Sequence, residues 1–212
     1  MPKQQPTAVS LATTPPTPDQ LAVTHCLSVC EPWAAMIVAG HKPIENRTWP
    51  TRFRGRLAIH ASSSPRHMTP ETEEFLADLA APGSAIERSL ACEDLFQFGC
   101  IVGVVEIFNC VEFDADACEF DRLPAVSLNH ADWLAGYEIP VDAWAEGPHC
   151  FLLRNAHQFT HPIPAKGALN IYRLTPELQA AVAAELAKPS GLPAVYRGCY
   201  AEKPAKSERA AR

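Results

Sequence analysis

Apolar positions along the chain change period several times, and the changes mark its elements. Residues 24–29 carry enough apolar side chains for a short strand, and Trp33, Met36 and Ile37 follow at helical spacings of three and four. Glu31-Pro32 opens that helix, since proline is tolerated in a first turn, and Gly40 ends it as a left-handed cap. The spacing predicts a short helix with one apolar face. From Ile44 to Trp49 the period drops to two, with Ile44, Asn46 and Thr48 on one face and Glu45, Arg47 and Trp49 on the other. A turn over residues 52–55 leads to a second strand to Ser62, with Leu57, Ile59 and Ala61 inward and Arg56, Ala58 and His60 opposite. Two short strands joined by a tight basic loop read as a hairpin.

Residues 64–98 are helical in pattern. Thr69 caps and Pro70 begins one helix, whose Phe75, Leu76 and Leu79 share a face. Ser84 with Glu87 three residues on forms a capping box for a second, carrying Ile86, Leu90 and Leu95. Residues 100–113 form the strongest strand, nearly unbroken in Val, Ile and Phe and interrupted by Glu106. An acidic, irregular excursion over 114–147 contains Trp133 and Trp144. Strands at 150–154 and 168–174 are separated by a His161-Pro-Ile-Pro164 run and Gly167, and Thr175-Pro176 starts an Ala-rich helix with Leu178, Val182 and Leu186 four apart. The pattern predicts an α+β, mainly β fold, a small barrel with helices packed around it. Its domain organisation is a disordered Pro- and Thr-rich arm over 1–22, a barrel domain over 23–175 with the helical insertion at about 64–98, a helix and extension over 176–198, and a flexible tail over 199–212.

Charge changes this picture in one respect. The net charge of −6 argues against a general nucleic-acid coat protein. Yet residues 40–67 hold six cations against the single acid Glu45, while residues 71–121 hold thirteen acids and one cation, Arg88. Such asymmetry is either ordinary solvated surface or one basic face on an acidic body that focuses anionic ligands. The eight cysteines include no CxxC pair and several lie in apolar runs, which fits reduced thiols rather than a disulfide framework. The N-terminus lacks the apolar core of a signal peptide and no run reaches spanning length, so a cytoplasmic protein without membrane contact is expected. His157 with His161, and Cys26 with Cys30, are each four apart, but no third and fourth ligand stands at recognised spacing and no metal is expected. Neither a Gly-x-Ser-x-Gly elbow nor a Gly-rich phosphate loop is present.

The stretch from Leu27 to Ser62 is the most informative. Its Glu31-Pro-Trp-Ala34 helix start, Gly40-x-Lys42-x-x-Glu45-x-Arg47 segment, Arg54-Gly55 and His60-Ala61 closely resemble the ASCH domain (activating signal cointegrator homology), a branch of the PUA-like β-barrel superfamily. Residues 99–106, 147–153 and 163–169 resemble the family's later strands, so the likeness covers about residues 24–174. Glu31 stands where many members have Gln. The resemblance implies a PUA-like barrel that binds RNA or a modified nucleotide, with no cofactor.

The candidate ligand-binding residues are Trp33, Lys42, Glu45, Arg47, Arg54 and His60. Arg presents a planar fork to phosphate or a base edge, Lys a compact charge, Glu an acceptor for an exocyclic amine, and Trp33 a stacking face. Pairing of Glu45 with its own neighbours and a core role for Trp33 are the structural alternatives. Arg52, Arg54 and Arg56 are read as backbone-contacting charges beside the cleft, or as a solvated hairpin. His60 reads as a satisfied structural histidine or a ligand contact. Glu106 is a strand-end residue or a buried carboxylate whose pKa is raised.

Three functions remain open at this stage. One is a nucleic-acid-binding module. Another is a hydrolase on N4-acetylcytidine or RNA, with Lys42, Glu45 and Glu106 as its catalytic residues. A subgroup resembling this family uses a Lys, a Thr three residues later and a Glu; Lys42 matches, but Glu45 fills the Thr position. The last is a protein-interaction module docking through the acidic excursion and the Ala-rich helix.

Overall fold

A computed structural model of the chain describes residues 22–92, 94–114, 119–121 and 141–188. The expected arm, but for its last residue, lies outside these residues. So do Trp133 with most of the acidic excursion, the extension beyond 188 and the tail. Seven strands are found among the described residues: β1 (His25–Val29), β2 (Ile44–Arg47), β3 (Gly55–Ala61), β4 (Cys100–Asp114), β5 (Glu119–Asp121), β6 (His149–Pro164) and β7 (Ile171–Arg173). They form one sheet in the order β2-β6-β4-β3-β1-β7, with β5 paired to β4. Four helices accompany it: α1 (Trp33–Val38), α2 (Pro70–Leu79), α3 (Ala85–Leu90) and α4 (Pro176–Leu186). The mainly β class with helices packed around a barrel-like sheet is as expected. The sheet curls into a half-barrel with β2 and β7 as its two edges. Register shifts along the β4–β6 ladder, at residues 101–109 of β4, supply local bends of the kind that curl a sheet.

The expected hairpin does not form. β2 pairs antiparallel with β6, Ile44 opposite Leu152 and Arg47 opposite His149. β3 lies three strands away, parallel to β1 and antiparallel to β4. Crossing three strand spacings takes about 14 Å, and the seven residues between β2 and β3 reach about 23 Å when extended, so the basic loop is long enough to cross. β6 is also far longer than expected, running through the Pro162 and Pro164 that read as breakers. β2 covers only its first residues, so beyond Leu152 one side of β6 is a sheet edge, where proline costs no ladder bond.

Helix α1 is not one-faced. Residues 34–38 are all buried, which makes it a core helix enclosed on all sides. Ala34, Ile37 and Val38 pack with Leu57, Ile59, Val105, Ile107, Phe151 and Leu153 on one face of the sheet. Gly103 makes that seat possible: a Cβ there would stand 2.4 Å from the His157 carbonyl oxygen and 2.8 Å from the Val38 side chain. Ala35 and Met36 pack the other way, with Ile44, Leu76, Ile86 and Trp144. Opposite α1, Cys26, Ala58, Ile101, Val104 and Phe159 are covered by Val182 of α4, so β3 is buried on both faces. Thr69, Ser84 and Thr175 cap α2, α3 and α4 as the sequence predicts for the first two. Cys26, Cys100 and Cys150 are buried, and the six described cysteines are all free thiols.

Candidate functional site

The site grows out of the turn that ends α1. Gly40 adopts φ 81, and the amides of His41 and Lys42 both donate to the Met36 carbonyl, at 2.9 and 3.0 Å. This left-handed closure turns the chain into β2 and brings Lys42 back beneath Trp33. Lys42 Nζ lies 5.9 Å from the Trp33 ring centre, donates to the Ile44 carbonyl, and reaches Glu45 Oε2 at 3.4 Å. Glu45 and Arg47 share a face of β2, two residues apart, and Arg47 Nη2 lies 2.9 Å from Glu45 Oε1. Arg47 Nη2 also donates to the Ser28 carbonyl of β1 at 2.7 Å, joining the edge strand β2 to a strand far from it in the sheet order. Lys42 and Glu45 are only 5% and 6% exposed, so this is a buried ion triad rather than a loose cluster of surface charge. Such a triad is weak evidence of net stability, although removing one partner leaves a buried charge uncompensated.

Aromatic rings complete the enclosure. Trp33, Phe75 and Trp144 meet edge to face, with centroids 5.9–6.4 Å apart. Trp144 arrives on a 3₁₀ turn (Val141–Trp144) that Asn46 fastens to β2, donating to the Trp144 carbonyl at 2.9 Å and accepting from the Glu146 amide at 3.0 Å. These residues bound a pocket of about 200 Å³ with Arg66, His67 and Glu146 at its rim. Two donors of residues that line it, Arg47 Nε and Trp144 Nε1, are themselves sealed from solvent and without a partner. Buried orphan donors are uncommon, and each leaves hydrogen-bonding capacity unused.

The structure thus brings together Trp33, Lys42, Glu45 and Arg47. Glu45 pairs with its neighbours and Trp33 packs against the core, so both structural alternatives hold alongside pocket lining. Arg54 and Glu106 are not brought to the pocket, and His60 lies outside it, among the residues that line a neighbouring cavity. Arg54 is exposed and fastened to the Thr51 and Phe53 carbonyls and to Asn109. Arg56 stands opposite Glu106 on β4, so the basic loop does not flank the cleft. Both ring nitrogens of His60 are engaged, Nε2 donating to the Ala165 carbonyl at 3.0 Å and Nδ1 accepting from Ser28 Oγ at 3.2 Å. It is a satisfied structural histidine, and burial holds it below the usual imidazole range. Glu106 is opposite in character to a raised carboxyl. Burial pushes it up, but Arg154, Asn155 and Arg56 outweigh burial and hold it below the ordinary carboxylate range.

Sequence reasoning missed Trp144, Phe75, Asn46 and Glu31. Glu31 is fully buried beneath α1, its two carboxyl oxygens accepting from the Ala35 amide at 3.0 Å and the Gln97 amide at 3.1 Å. Burial pushes its carboxyl up to about 7, the two amides pulling the other way. His157 and His161 lie four residues apart in the extended β6, about 13 Å along it, and His161 instead neighbours Glu185 at 3.7 Å. Among the described residues no group of three or more His, Cys, Asp or Glu is placed to hold a metal, and no helix is long and apolar enough to cross a membrane.

The chain is 27% identical over 150 residues to activating signal cointegrator 1 of Homo sapiens, covering 70% of this chain and 22% of that protein. It is likewise 27% identical over 154 residues to the Mus musculus protein of the same name, again covering 22% of it. It therefore spans about a fifth of the length of these curated relatives. The crystal structure of ASCH from Zymomonas mobilis is similar at 15% identity and a TM-score of 0.39, over 76% of this chain and 94% of that one. A point mutant of the same bacterial protein gives a TM-score of 0.40, over 76% and 96%. The ASCH domain family model matches residues 27–156, from β1 through the start of β6's outer half, and so takes in the α1 turn, the ion triad and the strands that carry them: the chain belongs to the ASCH domain family.

Proposed function

We propose that this protein is a nucleic-acid-binding module, for single-stranded RNA in the first place, and that its pocket takes one unstacked base. The observation that carries this reading is the pairing of an aromatic corner, Trp33 with Phe75 and Trp144, with a fixed Lys42–Glu45–Arg47 triad in a pocket of about 200 Å³. The volume is below that of a drug-sized ligand site and far too small for a duplex. Sequence-specific RNA recognition works mostly on single-stranded bases, splayed out, stacked on aromatic or guanidinium planes and hydrogen-bonded along their edges. The guanidinium groups of Arg47 and Arg66 supply donors for base carbonyls, and the carboxylate of Glu146 an acceptor for an exocyclic amine. Membership of the ASCH family supports the same reading.

The hydrolase alternative finds less support. The position where the related hydrolases carry a Thr holds Glu45, and both of its carboxyl oxygens are already engaged by Lys42 and Arg47. Glu106, the other candidate base, is spent on Arg154 and Asn155. Fluorescence anisotropy with labelled single-stranded RNA, DNA and duplex controls tests the proposal. Wild-type protein should bind single-stranded RNA in a salt-sensitive manner, and Arg47→Ala should weaken binding about tenfold while keeping the native circular dichroism spectrum. Equal binding by that variant refutes it. Product analysis on the same RNA and on N4-acetylcytidine separates a binder from an enzyme.

A further inference from the structure

A second, larger cavity of about 550 Å³ adjoins the base pocket. Residues 62–64, three consecutive serines after β3, form one side of it, and the strap of residues 166–170 between β6 and β7 forms the other. The two cavities share Ser28, Cys30, Arg47 and Arg66. Their charge differs in kind. In the base pocket, Lys42, Arg47 and Arg66 face Glu45 and Glu146. In the second cavity, Arg66 and Lys166 face no carboxylate among the lining residues, while Arg47 keeps its own partner, Glu45, at 2.9 Å. Uncompensated cations beside hydroxyl donors suit a phosphate oxygen, while the nearly balanced aromatic pocket suits a neutral base.

The strap is seated, not draped. His60 donates to the Ala165 carbonyl, and Gly167 lies so close to the Ser28–His60 hydrogen bond that a Cβ there would meet the His60 ring at 2.6 Å and Ser28 Oγ at 2.8 Å. Lys166 and Asn170 are thereby held over the cavity, the latter in a left-handed turn at φ 59. Beside them Leu169 is 88% exposed, a large apolar side chain next to the cations and hydroxyls of the groove. Arg47 stands at the junction of the two cavities with its Nε unpartnered.

Resting on the reading given above, we propose that the second cavity holds the phosphodiester next to the bound base, and that Leu169 receives the adjoining nucleotide. The ligand is then a strand of at least two nucleotides, not a free nucleoside or nucleotide. Calorimetry with ribonucleosides, their 5′- and 3′-monophosphates and the matching dinucleoside monophosphates tests this. The dinucleotide should bind at least tenfold more tightly than the nucleoside, and at least as tightly as either monophosphate, although the monophosphates carry more charge. Lys166→Glu should collapse the dinucleotide-to-nucleoside ratio towards one, and Lys166→Ala should lower the salt slope of single-strand binding by about 0.7. Nucleoside binding with no gain for the dinucleotide, a monophosphate that outbinds it, or an unchanged ratio in Lys166→Glu overturns this inference alone. Failure of every probe to bind overturns the parent reading, and this one with it.

Discussion

Replacing Glu31 with Gln isolates the contribution of a carboxyl buried beneath α1. Glu31 is 0% exposed, with two backbone amides and no cation for partners. Burial raises its pKa from 4.5 to about 7. A carboxyl whose folded pKa exceeds its unfolded one binds more protons when folded, so it lowers stability as pH rises from about 4.5 through about 7. Each pKa unit corresponds to about 1.4 kcal/mol, so the gap amounts to about 3 kcal/mol, fully expressed near pH 8 and absent near pH 4. Gln cannot ionise, and it keeps one acceptor oxygen while losing the second, a pH-independent cost of about 1 kcal/mol. The stability of Glu31→Gln minus wild type, from urea denaturation at half-unit pH steps, should therefore climb by about 3 kcal/mol between pH 4 and pH 8. The difference is the proper readout because the wild-type curve mixes opposing groups. His41 is half-buried against Ser89 Oγ at 2.8 Å and desolvation lowers its pKa to about 4, so it removes stability as pH falls from about 6.5 towards 4. A difference curve that stays level across this range refutes the placement of an isolated carboxyl in the core.

Other changes follow from the same geometry. Glu45→Ala leaves Lys42 buried beside an uncompensated charge and should cost about 3–5 kcal/mol in denaturant melts, whereas a loss under 1 kcal/mol would mean that Lys42 swings into water. Gly103→Ala drives a methyl into the His157 carbonyl and Val38, and should lower stability by about 1–3 kcal/mol or abolish soluble expression. Trp144→Phe keeps an aromatic ring in the corner but removes a buried indole donor that has no partner; stability in urea melts should stay within about 1 kcal/mol of wild type, and a larger loss would mean that the donor is satisfied in solution. Arg54→Ala, which touches only Thr51, Phe53 and Asn109, should leave RNA affinity within twofold of wild type, the opposite of Arg47→Ala.

Much of the pocket was legible in the sequence because it is local. Residues 25–47 form one uninterrupted strand–helix–turn–strand passage, and the Gly40 closure brings Lys42 to Trp33 and Glu45. The period-two alternation of β2 likewise puts Glu45 and Arg47 on one side. What could not be read is whatever depends on distant segments. Trp144 lies about a hundred residues from Asn46, inside a stretch with no periodicity, and only the Asn46 hydrogen bonds reveal its place. The hairpin expectation failed because loop length sets how far a strand can travel, not which neighbour it takes. Pro162 and Pro164 read as part of a break between two strands because a sequence does not show which side of a strand is an edge. Arg54, Arg56 and Glu106 illustrate the same limit for charge: a run of cations marks a segment, but strand register decides whether they face a cleft or a cross-strand carboxylate.

The most direct test is a crystal structure of the protein soaked with short single-stranded RNA. A base lodged against Trp33 and the Lys42–Glu45–Arg47 triad, in the pocket that Trp144 helps to line, is the predicted result. RNA bound elsewhere, with that space still filled only by solvent, would contradict it.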